Sequence, residues 1–155
     1  MNEVLGALRK MHNLEIFAVE IYRAQIRAFN EKEIADRLKA AMDNEQEHVN
    51  DLQERIRELK GRCSRLRFFF QMAGSLSGFA STFLGKVFAL KADVRFEKRA
   101  VRDYGGLLQK LDFDEKSRGL IQKNIEDEKV HIRRWEESIE ILKGQTTRYS
   151  KKEGK

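Results

Sequence analysis

The chain has 155 residues, enough for one domain with a sizeable core, and it combines no Pro with ten Gly and 36% charged residues, a balance that suits long helices. A single cysteine, Cys63, excludes an internal disulfide framework and suits a reducing compartment. The formal charge of +6 is concentrated in Lys60, Arg62, Arg65 and Arg67 and in the tail residues Arg148, Lys151, Lys152 and Lys155. No Lys/Arg stripe with interleaved aromatics follows a helix, so nucleic acid is not the expected partner.

The N-terminus enters a helix almost at once, with neither a signal-peptide core nor a transit segment, so the expectation is a cytoplasmic product or an already processed mature form. The first helix, about residues 2–29, carries the apolar stripe Val4, Leu8, Met11, Ala18, Tyr22, Ile26, Phe29, interrupted by Glu15. Glu20 falls with Asn13, Arg23 and Arg27 on the polar side. A short linker near Asn30 leads to a second helix, about 31–60, and the two should form an antiparallel hairpin closed by Gly61. Its stripe, Ile34, Leu38, Met42, Val49, Leu52, Ile56, Leu59, includes Glu45 and His48 and leaves Glu47 outside.

Residues 68–85 form an uncharged run, FFFQMAGSLSGFASTFLG, at the length threshold of a membrane span but diluted by Gln71, Thr82, three Ser and three Gly. Five Phe behind a basic cluster suit a segment lying in a membrane interface beside anionic head groups. The other reading is a crossover connection packed on its own bundle, and the two are compatible.

The next helix, about 86–111, repeats the first, with Glu97 interrupting Val87, Leu90, Val94, Val101, Tyr104, Leu108 and Leu111. Gly105 and Gly106 mark a place for a bend or a close backbone approach. Asp112-Phe113-Asp114 makes a turn with Asp114 as candidate N-cap. The last helix, about 115–143, places Glu128 and His131 among Ile121, Ile125, Ile132, Trp135, Ile139 and Leu142. Residues 144–155 are polar and basic, and a disordered tail is expected there.

Glu45-Gln46-Glu47-His48 and Glu128-Lys129-Val130-His131 are the same statement made twice. Residues three apart share a helix face, so each Glu-x-x-His aims a carboxylate and an imidazole the same way, here into a core. A charged carboxylate in a core is costly unless it is paired or binds a metal. Four inward Glu and two His, with Glu-x-x-His on alternate helices, form the ligand set of a two-metal carboxylate centre in a ferritin-like four-helix bundle. Glu15 precedes Tyr22 by seven residues and Glu97 precedes Tyr104 by seven, so two similar hairpins should face each other about a pseudo-twofold axis.

Glu15-Ile16-Phe17-Ala18-Val19-Glu20-Ile21-Tyr22, with His12 three residues before the Glu, resembles the first-helix motif of the demethoxyubiquinone hydroxylases of ubiquinone biosynthesis. Asp43-Asn44-Glu45-Gln46-Glu47-His48 is similar to their second ligand motif, and Ala73 to Lys86, Ala92 to Glu97 and Tyr104 to their apolar segment and third ligand helix. Ala24 replaces the family's glycine after the first Tyr, and Arg102-Asp103 its histidine-rich approach to the second.

The resemblance implies a monooxygenase that uses O2 to hydroxylate a polyprenyl quinol drawn from a membrane, with two irons as cofactor, manganese being the other metal the set would take. It implies bridging by Glu45 and Glu128, terminal ligation by Glu15 and Glu97, and one metal each for His48 and His131. Tyr22 and Tyr104 would hydrogen-bond the ligands, relay electrons, or simply fill the core. His12 would support the ligands or the core. Peripheral attachment to the inner membrane and a homodimer are compatible with it, and the reductant is not specified. Two rivals stand beside this reading: a ferritin- or rubrerythrin-like iron protein that oxidises Fe(II) or reduces peroxide, and a non-enzymatic helical bundle that binds a membrane or a partner.

Overall fold

The computed structural model describes the backbone of residues 2–153 and the side chains of residues 2–144. The chain is all-α, with α1 (Asn2–Ile26), α2 (Lys32–Glu58), α3 (Arg67–Phe83), α4 (Lys86–Lys110) and α5 (Glu115–Glu153). Helices α1 and α2 form one antiparallel hairpin and α4 and α5 the other, and together they make the ferritin-like bundle expected from the apolar stripes. The backbone of α5 continues beyond the expected end near Lys143. The expected disordered tail falls mostly on side chains outside the described residues.

Local chemistry fixes the joints. Helix α2 ends in a Schellman turn: the Gly61 N–H donates to the Ile56 carbonyl and the Lys60 N–H to the Arg57 carbonyl. The left-handed residue there is Lys60, at φ 57°, not Gly61. Space at Gly61 is tight: a Cβ would lie 2.6 Å from the end of the movable Leu5 side chain and 3.0 Å from the Ile56 carbonyl oxygen. Asp114 caps α5 as expected, its carboxylate accepting from the Ser117 N–H at 3.0 Å. That bond, with Arg55 alongside at 2.7 Å, holds the Asp114 carboxyl down at about 2.

The apolar run folds as helix α3 and lies along α1. Gly74 and Gly78, one turn apart, make the approach close: a Cβ on Gly74 would stand 2.5 Å from the Phe17 carbonyl oxygen, and one on Gly78 2.6 Å from that of Ile21. α3 therefore covers a face of α1 that the sequence pattern assigned to solvent. Glu20 and Asn13 are both buried. Glu20 accepts hydrogen bonds from Ser75 Oγ at 3.0 Å and Gln71 Nε2 at 3.2 Å and pairs with Arg23. The other side of α3 exposes Phe68, Phe69, Met72, Leu76, Phe79 and Phe83. The crossover reading thus holds for the small-residue face, while the aromatic face is largely exposed. Among the described residues no helix is long and apolar enough to cross a membrane.

Gly105 and Gly106 do not mark a close approach. A Cβ at either would meet nothing within 4 Å, and α4 passes through both as continuous helix.

Candidate metal centre

Two apolar clusters fill the bundle, one around Tyr22, Leu38, Leu90 and Trp135 and the other around Leu8, Leu52, Tyr104 and Ile121. Between them lies a belt of buried acids and imidazoles: Glu15, Glu45, His48, Glu97, Glu128 and His131, each at most 2% exposed. All six residues expected from the two Glu-x-x-His repeats and the two interrupted stripes converge there.

They form two overlapping groups. Glu15, Glu45, His48 and Glu128 bring ligand atoms within 4.8 Å of one another, and so do Glu45, Glu97, Glu128 and His131. Glu45 and Glu128 belong to both groups. Each histidine turns Nδ1 toward the shared carboxylates: His48 Nδ1 lies 3.2 Å from Glu45 Oε2 and 3.5 Å from Glu128 Oε1, and His131 Nδ1 3.0 Å from Glu128 Oε2.

His131 Nδ1 also stands 3.1 Å from Glu45 Oε1, but off the direction of a hydrogen bond, so that contact is one of charge. Among the described residues Glu45 Oε1 and Glu128 Oε1 are buried and accept no hydrogen bond. One unsatisfied buried oxygen on each shared carboxylate is the kind of orphaned acceptor that a bound cation would satisfy. The set of carboxylate oxygens and imidazoles suits two divalent ions of the iron or manganese kind.

The electrostatics of the bare cluster agree. Burial, reinforced by the charges of Glu45 and Glu128, raises the Glu15 carboxyl well above the usual range, and burial with the same two neighbours does this for Glu97. Burial would also raise Glu45, but His131 and His48 overcome it and hold that carboxyl down at about 2. Burial opposes charge on the imidazoles, yet Glu128 and Glu45 push His48 up to about 12 and His131 to about 9. The imidazoles thus favour their protonated forms, while burial sets the terminal carboxyls against ionisation.

Both tyrosines reach across the bundle. Tyr104 of the second hairpin donates to Glu15 Oε1 of the first at 2.8 Å, and Tyr22 of the first donates to Glu97 of the second. Trp135 Nε1 in turn donates to the Tyr22 oxygen at 3.2 Å. His12 joins neither group. It faces the groove between α1 and α2, with Nε2 4.0 Å from Cys63 Sγ.

Three polar residues around the belt escaped the sequence reading. Asp127 lies 3.0 Å from His48 Nε2, on the side of the ring away from the cluster, the place of a carboxylate that orients a ligand imidazole. Its position immediately before Glu128 was the available signal. Asp93, one turn before Glu97, is buried and accepts from Gln25 Nε2 at 2.9 Å, and burial pushes its carboxyl up to about 7. Asn124, one turn before Glu128, is fully buried with neither amide atom hydrogen-bonded. Asp93 and Asn124 occupy stripe positions where a search for interrupting acids beyond one per helix would have found at least the first.

A model of the family described as ubiquinone biosynthesis protein COQ7 matches residues 2–134. The chain belongs to the COQ7 family. Over 132 residues, 84% of its length, it is 33% identical to a 3-demethoxyubiquinol 3-hydroxylase of Dechloromonas aromatica, of which the match covers 63%. It is 31% identical over 127 residues to proteins of the same name in Bordetella parapertussis and Bordetella bronchiseptica, covering 81% of this chain and 57% of each of those. The chain thus spans less than two thirds of the length of these curated COQ7 relatives. The matched residues include all six members of the buried belt.

Proposed function

We propose that this chain is a di-iron monooxygenase that hydroxylates the ring of a polyprenyl quinol with O2. The supporting observation is the pair of four-residue groups sharing Glu45 and Glu128 in a dry core, in a chain of the COQ7 family. Glu15, Glu45, His48 and Glu128 would hold one iron and Glu45, Glu97, Glu128 and His131 the other, with Glu45 and Glu128 bridging. When bound, the irons would supply the electrons that O2 needs to be split; one oxygen atom enters the ring C–H bond, and the other leaves as water with two protons and two electrons from an external donor.

The chain's own side chains set the conditions. The two apolar clusters exclude water from the belt. The Tyr104 and Tyr22 hydroxyls would hold the Glu15 and Glu97 carboxylates from the opposite hairpin. Asp127 orients the His48 ring. The exposed Phe row of α3 would lie in a lipid interface, with the basic cluster Arg62, Arg65 and Arg67 just before it meeting anionic head groups. A lipid surface is also where a polyprenyl quinol resides.

The test is anaerobic loading with Fe(II), addition of a demethoxylated quinol and an electron donor, and exposure to 18O2. Incorporation of one labelled oxygen into the ring supports the reading. Fe(II) oxidation without ring hydroxylation, under conditions where a curated relative turns over, would instead make the chain a ferroxidase-like iron protein.

A further inference from the structure

The belt repeats its candidate ligands about the pseudo-twofold axis, but the two imidazoles do not have the same neighbours behind them. Asn44 precedes Glu45 as Asp127 precedes Glu128, so an amide and a carboxylate occupy equivalent positions on α2 and α5. Asp127 Oδ2 lies 3.0 Å from His48 Nε2, the ring nitrogen turned away from the shared carboxylates. Asn44 Nδ2 approaches the same Oδ2 at 3.5 Å, so the amide supports the carboxylate behind His48. Among the described residues the carboxylates paired with His131 are those of the belt itself, Glu45, Glu97 and Glu128. Outside the belt its ring meets Trp135, with centroids 6.4 Å apart and planes tilted by 33°, and Tyr22.

The difference bears on how strongly each ring gives its electrons to a cation. A carboxylate on the far nitrogen fixes the tautomer of a ligand imidazole and makes it more basic, whereas an indole face does neither. The terminal carboxylates differ in the same sense. Trp135 Nε1 donates to the Tyr22 oxygen, and a hydroxyl that accepts in this way becomes a stronger donor, here toward Glu97. Charge drawn from Glu97 leaves less for a cation. Tyr104, which donates to Glu15, has no indole behind it. Both contrasts favour the group of Glu15 and His48 over the group of Glu97 and His131.

We propose that the two metal positions are unequal and fill in order, the Glu15–His48 position first, with Asp127 the positioning residue that sets the order through the His48 ring. This rests on the two-metal reading above and adds a rank between its two positions.

The probe is Mn(II), titrated into the full chain after a chelator has stripped it of metal, and followed by calorimetry and electron paramagnetic resonance. Wild type should bind in two resolved steps. The six-line signal of an isolated Mn(II) should grow through the first equivalent and give way to that of a coupled pair during the second. Trp135 is the only Trp in the chain and lies on His131, so its fluorescence should be quenched more steeply by the second equivalent. Asp127→Asn, which keeps an acceptor but removes the charge, should weaken the first step by roughly tenfold, and Asp127→Ala by up to roughly a hundredfold, so that the steps merge. Glu126→Gln, a neighbouring exposed acid paired with Lys129, should change neither step. Glu15→Ala should remove the tight step and Glu97→Ala the weak one. A coupled pair from the first addition, an unchanged tight step in Asp127→Asn, or loss of the tight step in Glu97→Ala would overturn the order while leaving the two-metal reading intact. Failure of wild type to bind Mn(II) at all would remove both.

Discussion

The α1–α2 and α4–α5 hairpins are alike at the belt and unlike everywhere around it. Each supplies a lone Glu, a Glu-x-x-His and a Tyr that reaches the lone Glu of the other, so the six candidate ligands and two hydroxyls obey the pseudo-twofold axis. Beyond that layer the symmetry stops. Met11 stands where the second hairpin has Asp93, Ala41 where it has Asn124, and α3 covers α1 but has no counterpart on α5. A pair of cations tolerates symmetric ligation, whereas a substrate must arrive from one side. The asymmetric shell is therefore where the directionality of the reaction would have to reside.

The largest effect should come from the shared carboxylates. Glu45→Ala or Glu128→Ala should abolish binding of both metals, while Glu15→Ala or Glu97→Ala should remove one and leave the other, with helical content unchanged throughout. Metal content per chain after anaerobic loading checks this, and retention of two metals by Glu45→Ala would refute the bridging role. Because His48 and His131 are held protonated and metal requires them bare, uptake should release protons and tighten as pH rises, measurable in weak buffer.

The second contrast sets two glycine pairs against each other. Gly74→Leu or Gly78→Leu should force α3 off α1, costing about 1–3 kcal/mol, since the added atoms meet backbone. Gly105→Ala or Gly106→Ala should instead stabilise by about 0.5–1 kcal/mol each, because both sit in open space within a helix. Denaturant midpoints decide, and a destabilised Gly105→Ala would mean that α4 needs flexibility there.

The tyrosines offer a finer test of the symmetry. Tyr22→Phe strands Trp135 Nε1, which is buried and donates to the Tyr22 oxygen, whereas Tyr104→Phe strands no such donor. Tyr22→Phe should therefore be the more destabilising by about 1–2 kcal/mol in chemical unfolding. Equal losses would show that the indole contact carries no energy.

The smallest effect concerns Asp93. Its carboxyl is raised by burial to about 7, so its protonated form is favoured by the fold, and that contribution is present below the unfolded value near 3.8 and lost as pH rises through about 7. Asp93→Asn keeps an acceptor for Gln25 and should raise the melting temperature at about pH 8, with the gain vanishing near about pH 4. A gain that does not change with pH would place the effect in packing rather than ionisation.

The period of the apolar residues alone determined the four bundle helices, their pairing as hairpins and the six inward acids and imidazoles, because a helix face is a property of spacing along one chain and a buried acid stands out against it. The same spacing misassigned Glu20 and Asn13, since nothing local says that a second face of α1 will be covered by a helix some fifty residues away in sequence. Only tertiary packing decided that Gly74 and Gly78 dock on α1 while Gly105 and Gly106 touch nothing, that His12 faces a cleft rather than the belt, and that Asp127 backs His48 from the opposite hairpin. Those outcomes depend on which surfaces meet, and the meeting of surfaces is set by shape and burial across the whole bundle, which no single stretch of the sequence contains.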